Sequence, residues 1–398
     1  MKIVVVTTYF SKGMGYTENC LPRALAKMGH EVHVVTSEYN IYGNASDYNK
    51  NYQNFLGDAI QPVGSFEYDG YMIHRLRSRN MLGYIKIIGL VKKIRELNPD
   101  VVHSVAIASL QTYLLALGKI SNKFLIFTEN HHHMSVVKPF LLNAKFQPFK
   151  KSFYWLTRTL PTWLASFAVE RCYAVAPDCL EVANRFYGVP HAKIALQSLG
   201  TDTELFRPAL TKEEKLKRDH LRASLGLDEN DLVCVYTGRF TKDKNPALLA
   251  KAMSVIASKD NSWKAIFVGE GIQRSEIANG RNCMILPFMR HAELADLYRA
   301  ADIAVWPRQE SMSMLDAASC GLPLVVADSI GESKRVQGNG VTYPENDLGG
   351  LILALESLSS SVQRKRLGAA GRDKMIRYFS WDAVARRYVQ DYEEALLS

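Results

Sequence analysis

Runs of apolar residues alternate with amphipathic segments along the whole chain. In the first half the predicted strands are KIVVVTTY, HEVHVVTS, VVHSVA, NKFLIFTE and CYAVAP. Helices are predicted between them, at LPRALAKMG, which Gly29 closes, and at YIKIIGLVKKIRELNPD. Strands that alternate with helices and are apolar throughout are typical of parallel sheets covered by helices on both faces.

The same pattern starts again near the middle of the chain. A charged segment, residues 212–231, precedes the predicted strands LVCVYTGRF, WKAIFVG, CMILPF, DIAVWP and LPLVVAD. We therefore predict an α/β protein of two tandem doubly wound, Rossmann-like domains, residues 1–205 and 206–379. Ligands of open parallel sheets bind beyond the carboxyl ends of the strands. The predicted site is thus an interdomain cleft lined by the loops that follow strands.

Composition indicates a soluble protein of a reducing compartment. Of the residues, 47% are apolar and 22% charged, and no apolar run reaches the ~18 residues that a membrane span needs. The six cysteines are scattered without a C-x-x-C pair, which argues against a zinc site or a disulfide framework. The N-terminal MKIVVVTTYF lacks the features of a signal peptide. We expect a cytoplasmic protein.

Two glycines follow the first predicted strand, in FSKGMGYTEN. Gly13 and Gly15 precede a helix, where glycine lets a ligand approach the backbone and a helix N-terminus favours an anion. A phosphate-binding loop and a plain turn both fit this pattern. No third glycine completes the Rossmann fingerprint.

Histidines follow two other strands of the first half. His103 is either a buried, hydrogen-bonded imidazole or a donor into the site. Of the adjacent His131, His132 and His133, we expect His131 to donate a hydrogen bond into the site. Neighbouring histidines on one loop do not easily ligate one ion, and no acid cluster matches them, so no metal site is predicted.

Two cations follow the first strand of the second half, in GRFTKDKNP. Arg239 offers a bidentate fork and Lys244 a point charge, a combination that suits a diphosphate. Gly238 immediately before them favours a ligand-binding loop over a solvated turn, of which Lys242 is the example. Further along, Phe288 and Met289 end a strand and form an apolar wall for a flat base.

Two acids lie where the strand DIAVWP leads into a helix. Ser313 and Asp316 have the spacing of a capping box, which gives Asp316 a structural role in satisfying the helix start. Glu310 lies in the loop itself, where its carboxylate is free to accept hydrogen bonds from sugar hydroxyls.

Several of these segments together resemble the retaining glycosyltransferases of family four, the group 1 transferases with the GT-B fold. The most specific are YTGRFTKDKNPALLAKAM, FVGEG, LADLYRAADIAVWPRQES and LDAASCGLPLVVAD. LGTDTELFRP resembles the segment that joins the family's two domains. The ending YFSWDAVARRYVQDYEEALL resembles its last helix, which implies that residues 380–398 return to the first domain.

The resemblance implies a nucleotide-diphosphate sugar, UDP- or GDP-linked, as the donor substrate, with no cofactor and no metal. It implies that the catalytic residues are Arg239, Lys244, His131 and Glu310. The implied donor-binding residues are Gly13, Gly15, Gly238, Phe288, Met289, Ser311, Ser313, Met314 and Asp316. His103 and Tyr16 are assigned to the acceptor.

The acidic motif departs from the family pattern. The family's E-x7-E is replaced by E-x5-D, and Asp316 is one methylene shorter than the glutamate that contacts the ribose. Glu332 follows the next strand and offers a further contact. No D-x-D metal motif is present; DEND at 228–231 has the wrong spacing.

A net charge of +9 suits phosphorylated ligands, nucleic acid or an anionic membrane. The basic, aromatic segment 145–158 either lies on an anionic membrane, as suits a lipid-linked acceptor, or packs its aromatic rings into the core. No long basic stripe favours nucleic acid. We expect sugar transfer to a glycan, lipid-linked or small-molecule acceptor, in bacterial surface polysaccharide or glycolipid synthesis. The alternatives are a same-fold epimerase, a glycan phosphorylase and a non-catalytic nucleotide-sugar-binding subunit.

Overall fold

The computed structural model describes residues 1–45, 48–81, 84–120, 123–137, 152–330 and 333–398. The chain forms two compact units. The first comprises Met1–Leu199 together with Val384–Ser398, and the second comprises Gly200–Ala383. The prediction of two doubly wound α/β halves is confirmed, because each unit contains its own sheet of mainly parallel strands.

The first unit is built on an eight-stranded sheet of order β10-β9-β8-β7-β1-β2-β4-β3. Every pairing is parallel except that of β3 with β4. The strands are β1 Lys2–Val6, β2 Glu31–Ser37, β3 Gly64–Tyr68, β4 Tyr71–Leu76, β7 Val101–Ser104, β8 Leu125–Asn130, β9 Arg171–Ala174 and β10 Ile194–Leu196. A separate hairpin consists of β5 Ser78–Met81 and β6 Tyr84–Ile87.

The second unit contains a fully parallel six-stranded sheet of order β13-β12-β11-β14-β15-β16. Its strands are β11 Leu232–Thr237, β12 Trp263–Val268, β13 Cys283–Leu286, β14 Ile303–Trp306, β15 Leu324–Ala327 and β16 Gly340–Tyr343. In sequence order this is the 3-2-1-4-5-6 arrangement, whose direction reverses between β11 and β14. The crevice at such a reversal is where ligands of this fold bind.

Helices connect the strands of both units. Those of the first unit include Thr17–Lys27, Tyr48–Asn51, Gln53–Leu56, Leu90–Leu97, Leu110–Lys119, Leu160–Ser166 and Pro177–Glu181. Those of the second include Lys212–Ser224, Ala247–Lys259, Arg274–Ala278, His291–Ala300, Ser313–Ser319, Leu348–Glu356 and Ser361–Lys374. The last helix, Trp381–Leu397, contributes its residues from Val384 onward to the first unit. Within the described ranges, no helix is both long and apolar enough to cross a bilayer.

One predicted helix is partly wrong. The segment YIKIIGLVKKIRELNPD begins as strand β6, and its helix starts only at Leu90. Ile85 and Ile87 are buried while Lys86 between them is exposed, which is the two-residue period of a strand. Gly89, with a φ of 78°, separates the two elements.

Candidate active site

The loops that follow β11 and β14 lie at the point where the strand order of the second unit reverses. The first loop carries Arg239 and Lys244, and the second carries Glu310. The topology therefore brings these three predicted residues to one edge of one sheet, in two neighbouring loops. One side chain also links the ends of the two strands: the Trp306 indole donates to the Thr237 backbone carbonyl (3.1 Å).

Arg239 and Lys244 lie close enough for their charges to interact. Arg239 is exposed and Lys244 half-buried. Burial, and then the positive charge of Arg239, lower the pKa of the Lys244 ammonium group, while Asp243 partly opposes this. Two cations held side by side favour an anion placed between them, because each then gains an opposite charge.

The conformation of this loop depends on glycine. Gly238, with a φ of 146°, donates to the Val268 carbonyl (3.0 Å), and Phe240 donates to the Glu270 carbonyl (2.8 Å). A Cβ on Gly269 would lie 2.1 Å from the Gly238 carbonyl oxygen. The loops after β11 and β12 are thus packed backbone against backbone on both sides of Arg239 in the sequence, at Gly238 and at Phe240.

Glu310 is fixed by an ion pair. Its Oε2 accepts from Nη1 of Arg335 at 2.9 Å, and both side chains are largely buried, 14% and 5% exposed. Charge-assisted bonds of this kind orient a carboxylate more firmly than a neutral partner does. Sequence reasoning did not single out Arg335, which lies in a short 3-10 turn distant in sequence from the loop.

The capping role predicted for Asp316 is wrong. The helix begins at Ser313, its N-cap is Met312, and no side chain caps it. Asp316 is consequently one position too far along to reach the free amides of the first turn. Instead its Oδ1 accepts from the Thr201 hydroxyl (2.6 Å), and its Oδ2 lies 3.7 Å from Nε2 of His291. The ribose contact remains a prediction.

The other donor-side residues divide between surface and core. Phe288 is 59% exposed, and Met289 is partly buried against the core of the second unit. Ser311 is partly buried, and Ser313 lies beside the Tyr298 hydroxyl. Met314 is fully buried, so that its side chain packs in the core and only its backbone is near the loop.

In the first unit, the glycine loop is held in a defined shape. Gly13 has a φ of 73°, and its amide donates to the Tyr68 hydroxyl at 3.0 Å. The Asn19 side chain donates to the Ser11 carbonyl (2.9 Å) from the following helix. Gly15 and Tyr16 are half-buried, and burial raises the pKa of the Tyr16 phenol.

His103 is fully buried and both of its ring nitrogens are engaged. Nδ1 lies 2.6 Å from the Tyr392 hydroxyl and Nε2 lies 3.1 Å from Oε1 of Glu129. Of the two interpretations considered for it, the satisfied buried imidazole matches this environment, and no free nitrogen remains for an acceptor.

His131 lies at the end of β8, with its side chain 32% exposed. Its Nε2 is 2.5 Å from Oε2 of Glu129, a fully buried carboxylate that sequence reasoning did not single out. Although burial opposes it, the hydrogen bond and charge of Glu129 raise the pKa of His131. Glu129 therefore favours the protonated form of the ring, which is partly open to solvent.

The neighbouring histidines have other partners. His132 bonds to the Tyr187 hydroxyl through Nδ1. His133 lies 3.0 Å from both oxygens of Asp178, and with Cys179 these residues are close enough to surround a metal ion. The direct bond between His133 and Asp178 already satisfies both groups. Glu332 and residues 145–151 of the basic, aromatic segment lie outside the described residues.

Two family models account for most of the chain. Residues 20–205 match the model described as Glycosyltransferase Family 4, and residues 231–361 match the model described as Glycosyl transferases group 1. The chain belongs to the group 1 glycosyltransferases. The resemblance drawn from its motifs is confirmed.

Two curated relatives of this group 1 glycosyltransferase match about half of the chain at less than 30% sequence identity. It is 27% identical to the D-inositol 3-phosphate glycosyltransferase of Rhodococcus erythropolis over 58% of this chain and 54% of that protein. It is 24% identical to spore coat protein SA of Bacillus subtilis over 49% of this chain and 57% of that protein. The chain thus spans about half the length of the curated relatives that it matches.

Solved structures share the GT-B fold over the full length. A glycosyltransferase from Rickettsia africae superposes with a TM-score of 0.70 at 15% identity, covering 100% of this chain and 98% of that one. The Anabaena protein HepE in complex with UDP gives 0.68 at 15% identity, covering 99% and 100%. At such low identity these structures establish the fold alone.

Proposed function

We propose that this group 1 glycosyltransferase transfers a sugar, with retention of configuration, from a nucleotide-diphosphate sugar to a hydroxyl group of an acceptor. The observation that carries the proposal is the pair Arg239 and Lys244 at the strand-order reversal of the second unit. HepE of Anabaena binds UDP and UDP-glucose, which supports a donor of the same class here.

The chemistry follows from where charge develops. As the bond between the sugar and the diphosphate breaks, negative charge accumulates on the leaving oxygen. Arg239 and Lys244 are already in place and stabilise that charge without reorganisation. The sugar becomes oxocarbenium-like, and Glu310, held by Arg335, accepts hydrogen bonds from its hydroxyl groups. The acceptor hydroxyl attacks from the face that the diphosphate leaves, and its proton passes to the leaving diphosphate oxygen, so that the products are the glycoside and the nucleoside diphosphate.

In the first unit the proposal assigns the glycine loop to the phosphates and His131 to the transferred sugar. In its protonated form, which Glu129 favours, the ring of His131 donates hydrogen bonds to sugar oxygens. The acceptor class is a glycan, a lipid-linked sugar or a small polyol. Curated relatives are named for D-inositol 3-phosphate, so this compound belongs in the acceptor panel.

Single replacements of the two cations test the donor site. Arg239→Ala and Lys244→Ala should each lower kcat by about 30- to 1,000-fold, since the loss of one preorganised charge costs ~2–4 kcal/mol in the transition state. Lys242→Ala is the matched control, because Lys242 is an exposed cation of the same loop, and it should leave kcat within about twofold. Nucleotide release with a panel of donors provides the assay.

The outcomes separate the proposal from its alternatives. Near-normal turnover in both variants would contradict the assignment of the diphosphate site. A wild-type chain that binds the nucleotide but neither releases nor transfers sugar would be a non-catalytic binding subunit. Conversion of the donor into a second nucleotide sugar would identify an epimerase.

The first unit also offers a surface for peripheral contact with an anionic membrane. Residues 152–166 are helical, and six large apolar side chains on or beside this helix are 42–59% exposed. They are Phe153, Trp155, Leu156, Trp163, Leu164 and Phe167. Between His131 and Val169 the sequence contains no aspartate or glutamate, but it contains Lys138, Lys145, Lys150 and Lys151 in addition to Arg158 of the anchored side. Apolar side chains together with positive charge fit an anionic lipid surface.

The opposite side of this helix is anchored in the unit. The Tyr84 hydroxyl donates to the Thr157 carbonyl (2.7 Å), and the Tyr113 hydroxyl lies 2.8 Å from that of Thr162. The Arg158 guanidinium stacks 3.7 Å above the Tyr84 ring. The exposed apolar side chains are therefore presented on a fixed support. Contact with the inner face of the membrane would suit a lipid-linked acceptor.

A further inference from the structure

Glu129 is the centre of a buried polar network in the first unit. Its carboxylate is completely shielded from solvent, yet it forms no bond to lysine or arginine among the described residues. Oε2 is bonded to His131, while Oε1 accepts from His103 (3.1 Å) and from the Tyr388 hydroxyl (2.9 Å). A buried carboxylate is stable only when its oxygens are satisfied in this way.

The network gives His131 a fixed orientation. Because Nε2 is committed to Glu129, the imidazole must present Nδ1 away from the carboxylate. In the part of the chain that the structure describes, Nδ1 has no hydrogen-bond partner. His131 is also the only one of the two histidines on Glu129 that solvent reaches, 32% against 0% exposed. Nδ1 is thus the ring atom available to a ligand.

Charge reinforces this orientation. Against the effect of burial, the bonds from His103 and His131 lower the pKa of Glu129 to about 2. Three ionisable groups interact electrostatically with the His131 ring. They are Glu129 in the preceding strand β8, Glu18 on the helix after the glycine loop, and the adjacent His132. Glu129 and Glu18 both favour the charged ring, whereas His132 is itself largely neutral because burial lowers its pKa to about 4.

The last helix completes the network. Tyr388 binds Glu129 directly, and Tyr392, one turn later, binds His103. Both tyrosines are fully buried. The same helix makes a separate attachment through Asp391, which accepts from the Tyr173 hydroxyl (2.6 Å) and from Arg171. Two attachments of one helix can therefore be tested independently.

We propose that Glu129 is the positioning residue of His131, and that Tyr388 shares in this role by sharing the Glu129 carboxylate. This inference rests on the proposed function. It means that a buried carboxylate, Glu129, and the last helix, Trp381–Leu397, together fix the orientation of the imidazole at the transferred sugar. Loss of Glu129 would remove the hydrogen-bond acceptor that fixes Nε2 of His131 and a negative charge that favours its protonated form. It would remove no group that touches the substrate.

The test combines two readouts. The first is the titration of His131, followed by NMR on protein with carbon-13-labelled histidine and assigned with His131→Gln. The second is the pH profile of kcat with the donor and acceptor found active. Glu129→Gln should lower the His131 midpoint by about one pH unit or more and should lower kcat by about 10- to 100-fold, with a smaller change in KM.

Tyr388→Phe should shift the titration in the opposite direction. Removal of a competing donor leaves the Glu129 carboxylate a stronger acceptor for His131, so the midpoint should rise. Because the carboxylate also loses the Tyr388 bond that orients it, kcat should fall several-fold. Asp391→Asn is the control on the same helix. It should leave both the titration and kcat unchanged even where it lowers Tm. A purely structural role of this helix would instead make Tyr388→Phe and Asp391→Asn behave alike, and this result would overturn the proposal.

Other outcomes are equally decisive. An unchanged His131 midpoint in Glu129→Gln overturns the positioning role whatever the activity. A shifted midpoint with unchanged kcat overturns its relevance to the reaction. If the wild-type chain transfers no sugar to any acceptor, the proposed function fails, and the titration still decides whether Glu129 holds the charged ring.

Discussion

Glu310 and Asp316, the two acids after β14, show which contacts can be predicted from residue type and spacing and which cannot. Their sequence separation predicted one ligand contact and one helix cap. Glu310 does lie in the loop at the strand-order reversal, but the cap is absent because the helix begins one residue too early for Asp316 to reach its amides. Its partners Thr201 and His291 are remote in sequence. Hydrogen bonds of that kind depend on tertiary packing, which no local pattern encodes.

Glu18 is a buried carboxyl group close to a second one, Glu129, and its ionisation is therefore expected to lower the stability of the fold. Burial, with a contribution from Glu129, raises the pKa of Glu18 from its ordinary 4.5 to about 7. A raised pKa means that the stabilising contribution is complete below about pH 4.5 and is lost as the pH rises through 7. The difference corresponds to ~3 kcal/mol in the free energy of unfolding.

Glu18→Gln should remove this dependence. Between about pH 5 and pH 8, the wild-type chain should lose up to ~3 kcal/mol more stability than the variant. Urea unfolding at both pH values measures the difference. Glu67→Gln, at an exposed site of the same unit, should follow the wild type. Parallel pH profiles for Glu18→Gln and the wild type would contradict the assigned burial cost.

At the scale of elements, apolar runs predicted the central strands of both sheets, because such strands are buried on two faces. The edge strand β3 of the first sheet and the separate hairpin β5–β6 were missed. All three strands are partly exposed, so their apolar residues alternate with polar ones and resemble helical or loop segments. Parallel topology brings the loops after β11 and β14 to one edge of the second sheet, and the site residues predicted in those loops therefore lie in neighbouring segments.

The contact between the loops after β11 and β12 can be tested at Gly269. Gly269→Ala places a methyl group 2.1 Å from the Gly238 carbonyl and imposes a φ of 142° on alanine. The variant should lose ~2–5 kcal/mol of stability, and donor affinity should fall because Arg239 is displaced.

Gly226→Ala is the matched control, since Gly226 also has a positive φ but has open space around its Cβ position. It should cost ~1–2 kcal/mol from backbone strain alone and leave donor affinity unchanged. Thermal unfolding and nucleotide titration measure both effects. Equal losses of affinity in the two variants would show that the loop contact does not support the donor site.

At the scale of the whole molecule, the proposed membrane contact of the first unit's helix can be tested with lipid vesicles. Vesicles with anionic lipid should bind the protein, and neutral vesicles should bind it much less. Added salt should weaken binding, because the screening length falls to ~3 Å at 1 M. Replacement of Leu164 and Phe167 by serine should reduce vesicle affinity at least tenfold, since each buried side chain contributes ~1.5–3 kcal/mol.

The control replaces Ile272 and Leu353, which are more exposed and lie in the second unit. Serine at these two positions should leave vesicle binding unchanged. Equal loss in both pairs of variants, or equal binding to neutral vesicles, would exclude the first unit's helix as the lipid contact. Flotation through a density gradient separates bound from free protein.

The return of residues 384–398 to the first unit has a consequence for biosynthesis. Tyr388 and Tyr392 satisfy groups at the heart of that unit, yet the ribosome makes them only after every residue of the second unit. Independent domains usually fold in the order of their synthesis. Here the first unit cannot complete its fold before the second unit has been synthesised. On a nascent chain, the Glu129 carboxylate lacks its Tyr388 hydrogen bond until residue 388 has been translated.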